Sequence, residues 1–210
     1  MEIESIDTRE LLHKRSPVNV INVESPTLFW VRLKSNEEEF HTFTAELNVK
    51  VAHNKIRVQD PKEQQHVVVK RDLLWLRGTI TRILKRAQIA EIALRDIGRG
   101  IMVSTNEIYH LEDEFRKLPW QGICCGLAHI GNLSSRSKWT IETQKLARLL
   151  AEGDEAIMTI VQPVWPGAAF INLELKSRFF DASYDFRYAL ISLGHARAIE
   201  KITDHIFPSL

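Results

Sequence analysis

Two short stretches carry the residue types that could do chemistry: Trp75-Leu76-Arg77-Gly78 and Arg95-Asp96-Ile97-Gly98-Arg99. Each combines a cation, an apolar neighbour and a glycine, and the second adds a carboxylate. Asp96, standing before Ile97-Gly98, suits a turn in which it accepts backbone amides. Trp75, between Leu74 and Leu76, reads as core rather than ligand contact. No nucleophile elbow or phosphate-binding loop is present, and Asp96-Ile97-Gly98-Arg99-Gly100 is too short for a dinucleotide fingerprint. Binding without catalysis is the expectation, and no catalytic residue is assigned.

The remaining reactive residue types are scattered. His53, His66, His110 and His129 show no ligand spacing with cysteine or acidic partners, so neither a metal nor a cofactor is expected. Cys124 and Cys125 are adjacent in an apolar stretch, where neighbouring side chains of a strand point to opposite faces, so free buried thiols are expected. Lys70-Arg71, Arg82 and Lys85-Arg86 read as solvated loop faces. With 28 basic against 27 acidic residues the chain carries only +1, which disfavours nucleic-acid binding as its main business. No run of eighteen apolar residues or signal segment appears, so no membrane contact is expected and a cytoplasmic or nuclear setting is.

These motifs need elements to position them. Residues 1–16 are polar and read as a flexible lead-in or a short docked helix. β-Branched and aromatic runs at 17–23 and 27–33 form a hairpin around Glu24-Ser25-Pro26. Three glutamates follow Asn36, and Phe40, Phe43, Leu47 and Val51 recur at helical spacing, which predicts a helix over 36–52. Strands at 67–69, 74–84, 88–96 and 100–103 are short and closely connected, as in a small curved barrel. Residues 106–111 read as one or two helical turns. Beyond Trp120 come a strand at 122–130 and a loop at 131–137. A helix over 139–152 follows, with Trp139, Leu146, Leu149 and Leu150 on one side and Gly153 as its stop. Strands at 155–161 and 168–176 flank a turn at 163–167, and a last helix runs over 183–195. The first hairpin is too small to bury Phe29 and Trp30 alone, so it must pair with the segments after Trp120.

The ordered set Trp75-Leu76-Arg77-Gly78, Asp96-Ile97-Gly98-Arg99, Leu118-Pro119, Cys125-Gly126-Leu127 and Trp139 resembles the motif series of extended Tudor domains. The opening from Glu24-Ser25-Pro26 to Phe29-Trp30-Val31 is similar to the family's start. The resemblance implies an α+β, mainly β fold: a four- to five-stranded Tudor barrel inserted in a split, staphylococcal-nuclease-like domain of oligonucleotide-binding outline, joined by a long helix. It divides the chain into 17–60 (first part of the outer domain plus helix), 61–118 (barrel) and 119–207 (second part of the outer domain). Such domains bind short arginine-containing segments, often symmetrically dimethylated, in the cleft between barrel and outer domain, with aromatic rings caging the guanidinium.

Carried over residue by residue, the cage positions fall on Lys70, Leu76, Leu94 and Ile97, and the closing asparagine on Arg99, so all four rings are absent. The implied partner is an arginine-rich tail of a Piwi/Argonaute-type protein, unmodified, held on Leu76, Leu94 and Ile97 with Asp96 pairing its arginine. The implied setting is the piRNA pathway in perinuclear germ granules (nuage), where silencing of transposons is organised. Two alternatives stand beside it: an RNA-binding module stacking bases on Phe29, Trp30, Trp165 and Phe170, and a purely structural interaction domain with a decayed pocket.

Overall fold

The computed structural model describes residues 2–134, 138–176 and 182–202. Part of the loop expected at 131–137 and the expected domain end at 207 lie outside the described residues. The chain divides into two compact units, one of residues 6–35 and 122–209, the other of residues 1–5 and 36–121.

The outer unit begins with β1 (Arg15–Ser25) and β2 (Leu28–Leu33), the expected hairpin. Val18, Val20, Val23, Phe29 and Val31 turn inward, each 0–1 % exposed. The chain then forms α1 (Glu37–His53), grouped with the inserted unit, with Glu37, Glu38 and Glu39 in the first turn where the helix dipole favours them. The inserted unit continues with β3 (His66–Arg71), β4 (Leu74–Leu84), β5 (Ile89–Leu94) and β6 (Arg99–Ser104), an antiparallel meander. Gln88 and Gly98 turn two of its corners with φ of 53° and 62°, left-handed conformations that cost glycine nothing. Residues expected to make a helical turn instead form β7 (Ile108–His110), which pairs with β3 and brings the sheet to five strands. The backbone pairing wins because Ile108 packs fully into the barrel interior. Within this unit the side-chain amide of Asn36 donates to the Gln121 side chain at 3.1 Å, tying together the first and last residues of the insert.

The outer unit resumes with β8 (Ile123–Leu127), β9 (Ile130–Gly131), α2 (Ile141–Ala151), β10 (Glu155–Trp165), β11 (Ala168–Lys176), β12 (Ser183–Asp185), α3 (Phe186–Ser192) and β13 (Arg197–Ala198). Its main sheet runs β10-β1-β2-β8-β11-β12, and β10 also pairs β11, which closes five of the strands on themselves. β8 and β11 are parallel and the other pairs antiparallel.

Several boundaries differ from expectation. Thr140 caps α2 by accepting from the Thr143 N–H, so Trp139 stands outside the helix, where its indole donates to Thr27 at 2.7 Å. Leu149 is 71 % exposed; the buried face of α2 is Thr143, Ala147 and Ala151, with Leu146 and Leu150 alongside. β10 runs on through Pro163 to Trp165 because register shifts there spare the proline a ladder hydrogen bond. The last helix is shorter than expected, since residues 183–185 pair with β11 and Asp185 caps α3. The first residues are docked rather than flexible: Ile3 packs in the inserted unit and Thr8 is wholly buried in the outer one. The thiols of Cys124 and Cys125 are free and buried, and burial pushes both up from their ordinary value.

Candidate functional site

The two-residue connection Asp72-Leu73 sets the register of β3 on β4, placing Val68 opposite Arg77, Val69 opposite Leu76 and Lys70 opposite Trp75. Opposed residues share a face and successive residues alternate. Leu76 therefore joins the inner cluster of Val67, Val69, Ile80, Ile92 and Leu94, while Trp75 and Arg77 belong to the outer face, under α1.

The expected site set splits along this division. Leu76, Leu94 and Ile97 come together in the inner cluster. Leu94, however, is 1 % exposed and is core, out of reach of a ligand; Leu76 and Ile97 are half-buried around it. Arg99 lies opposite Leu94 at the start of β6, also half-buried. Lys70 is not in this group: it is exposed on the other face, its ammonium 5.7 Å from the Trp75 ring centroid. Gly78 lies mid-strand rather than at a bend. A Cβ there would stand 2.5 Å from Ile92 Cγ2 and 3.0 Å from the Ala93 carbonyl, so the close approach of β4 and β5 requires glycine.

Asp96 is engaged inside the molecule. Arg77 donates from Nε to Asp96 Oδ2 at 2.7 Å and from Nη2 to Oδ1 at 3.0 Å, a bidentate pair that is almost wholly buried. The other Arg77 donors go to the carbonyls of Phe115, Leu118 and Pro119 at 2.7–2.9 Å, so all five guanidinium N–H groups are used. The guanidinium carbon also lies 4.4 Å from the Phe43 centroid and 4.7 Å from that of Trp120. Asp96 Oδ1 also accepts from the Gln121 N–H at 2.8 Å. Asp96 is thus engaged within the chain by the Arg77 guanidinium and by the backbone amide of Gln121, 25 residues away.

Beside Trp120 lies a second polar group. His66 Nδ1 is 3.0 Å from Thr79 Oγ1, and Nε2 is 2.8 Å from a Glu2 carboxylate oxygen. Nε2 is also 3.4 Å from the Ile3 N–H, which can donate to it when the ring proton sits on Nδ1 and is given to Thr79, whereas a proton on Nε2 is given to Glu2 and lets the Thr79 hydroxyl donate to Nδ1. Burial lowers the His66 pKa from its ordinary 6.5, with Glu2 opposing. Neither Arg77 nor His66 appears in the expected site. A signal existed for Arg77, an arginine in the middle of the apolar run 74–80, where only a paired cation survives burial.

The expected stacking platform does not form. Phe29, Trp30 and Phe170 are 0–5 % exposed and belong to the core, leaving only Trp165, at 36 %, with an accessible ring. Among the described residues no group of histidine, cysteine and acidic side chains could hold a metal ion. No helix among them is long and apolar enough to cross a membrane.

The arrangement agrees with known proteins. The chain is 24 % identical over 164 residues to mouse RING finger protein 17 and 25 % over 158 residues to the human protein, matching 75 % and 74 % of its own length. It spans about 10 % of those relatives. Among solved structures, extended Tudor domain TD3 of mouse TDRD1, in complex with a dimethylarginine-containing MILI peptide, superposes with a TM-score of 0.83 at 17 % identity, covering 94 % of this chain and 99 % of that one. The Drosophila melanogaster Papi extended Tudor domain, bound to an unmethylated Piwi N-terminal peptide, gives 0.76 at 20 % identity over 89 % and 100 %. The fold is that of the extended Tudor domain, and the Tudor domain family matches residues 10–129, more than half of the sequence; the chain belongs to the Tudor domain family.

Proposed function

We propose that this chain is a non-catalytic adaptor of the piRNA pathway that binds an arginine-rich N-terminal tail of a Piwi/Argonaute-type protein in unmodified form. In this reading the tail lies across Leu76, Ile97 and Arg99, with Leu94 and the Arg77–Asp96 pair as the rigid layer beneath, Lys70 outside the contact, and the parent protein in perinuclear germ granules. The support for peptide binding is the shared fold with domains solved around dimethylarginine-containing and unmethylated peptides. The observation that carries the preference for the unmodified form is the inner face itself, aliphatic at the three expected ring positions it contains, Leu76, Leu94 and Ile97. A methylated guanidinium gains its selectivity from ring quadrupoles, and over Leu76 and Ile97 that attraction is missing.

One observation favours a second placement of the same tail. Asp96 is engaged, so the peptide's countercharge comes from elsewhere, and a groove of about 510 Å³ on the inserted unit joins Phe43, Val49 and Phe115 to Glu46, with Glu114 beside it already paired to Lys50 at 3.4 Å. Calorimetric titration with an arginine-rich peptide, unmodified and symmetrically dimethylated, tests the reading. Equal affinities are expected, and a gain on methylation of about tenfold, or 1.4 kcal/mol, overturns it. Ile97→Lys and Glu46→Lys then separate the two placements by which of them abolishes binding.

A further inference from the structure

The notch beside Trp120 on the inserted unit is filled by an extended piece of the chain itself. The Trp120 N–H donates to the Glu4 carbonyl at 2.8 Å, and Ser5 forms a parallel bridge with the same residue. Ile3, 6 % exposed, enters the outer-face cluster of Leu47, Val68 and Trp120. Glu2 places its carboxylate on His66, and its charge also acts on Arg95. Backbone pairing with alternate side chains in and out is how strand-like peptides are recognised.

The resident segment is held by one buried side chain, by the Glu4 carbonyl and by two contacts on His66 Nε2, the Glu2 carboxylate and the longer, 3.4 Å Ile3 N–H. Among residues 2–5 only Ile3 is buried, and the Glu2 side chain is 87 % exposed. It also leaves polar groups unmet: Arg95 Nε and Trp120 Nε1 are buried without a hydrogen-bond partner among the described residues. The Arg95 guanidinium carbon lies 5.7 Å from the Trp120 centroid, and both Arg95 and Arg116 bring positive charge toward His66. The surroundings call for acceptors.

We propose that this notch is a second peptide site, reading an extended partner segment with a carboxylate followed by an aliphatic residue, and that Glu2–Ser5 is the resident such a segment displaces. A partner that sets one further acceptor on Arg95 or Trp120 meets donors the resident leaves bare, so it wins without larger apolar contact. The charge preference is opposite to that of an arginine-reading surface.

The probe is a fluorescein-labelled peptide of sequence Glu-Ile-Glu-Ser, read by anisotropy on the full chain. In the wild type the tethered resident competes at millimolar effective concentration and the probe binds weakly. Glu2→Gly with Ile3→Gly should strengthen binding by about tenfold or more, and adding Arg95→Gln should remove the gain. Glu2→Lys, which keeps Ile3, should give a smaller gain of the same sign. Exchange of the Trp120 amide proton should quicken in the double variant and slow again with probe. Equal probe affinity in wild type and double variant, or a gain that survives Arg95→Gln, overturns the proposal. Arginine-peptide affinity measured on the same variants should not move, so failure of that binding reports separately on the function proposed above.

Discussion

The two faces of the inserted sheet use the same strands for opposite chemistries. On the inner face, Val67, Val69, Leu76, Ile80, Ile92 and Leu94 pack without a single ring. One residue along, the outer face holds Trp75, Trp120, Phe43, Phe115 and Tyr109, with a guanidinium against both Phe43 and Trp120 and clamped by a carboxylate. The rings of this unit gather around the chain's own Arg77, one side-chain parity away from Leu76 on the same strand. A pocket is therefore defined less by which residues a strand contains than by which of its two faces receives them.

Substitutions that attack the outer face should have the largest effect. Arg77→Leu takes the countercharge from a buried Asp96, and Asp96→Ala takes it from a buried Arg77; either should cost about 3–5 kcal/mol of stability in denaturant unfolding. The double variant should recover part of that loss, which distinguishes pairing from packing. Gly78→Ala presses a methyl into Ile92 on the inner face and should cost about 1–3 kcal/mol. If both faces tolerate their substitutions equally, the contrast between them is lost. Returning a ring to the inner face tests it from the other side: Ile97→Tyr should raise affinity for the symmetrically dimethylated peptide over the unmodified one by about 0.5–1 kcal/mol, a few-fold by calorimetry.

The smallest expected effect is on pH dependence. The His66 pKa is lowered in the folded state, so below 6.5 the unfolded chain takes up the proton first. Stability should therefore fall as pH drops through that value toward the lower folded pKa, and His66→Gln should flatten the slope of melting temperature between pH 7 and 5.

Much of the architecture was legible in the sequence because it rests on periodicity. The first hairpin, α1, the four long strands of the insert and the need for the outer pieces to pair all follow from alternation, spacing and the glutamate run at 37–39. β7 was not, because Ile-Tyr-His is too short to show a period and is held by its partner β3. The site was legible in membership but not in sidedness. Leu76, Leu94 and Ile97 do assemble, while the two-residue connection at 72–73 turns Lys70 away from them and sets it opposite Trp75. The burial of Phe29, Trp30 and Phe170 has no local signature, because sequence alone does not say which aromatic residues a closed sheet engulfs. The five-fold use of Arg77 depends on carbonyls at 115–119, far along the chain, and leaves no local pattern.

The tie between Asn36 and Gln121 bears on the order in which the molecule assembles. β2 and β8 are ladder partners in the outer unit, yet the chain between them runs from Lys34 to Gly122. Closing a flexible loop of roughly ninety residues costs on the order of 4 kcal/mol in chain entropy. Once the insert has folded, its ends are held within hydrogen-bonding reach, and β2 meets β8 almost as across a hairpin. Early folding of the insert thus converts the outer sheet from a slow, long-range closure into a short-range one, and Asn36→Ala should slow refolding of the outer sheet more than it lowers stability.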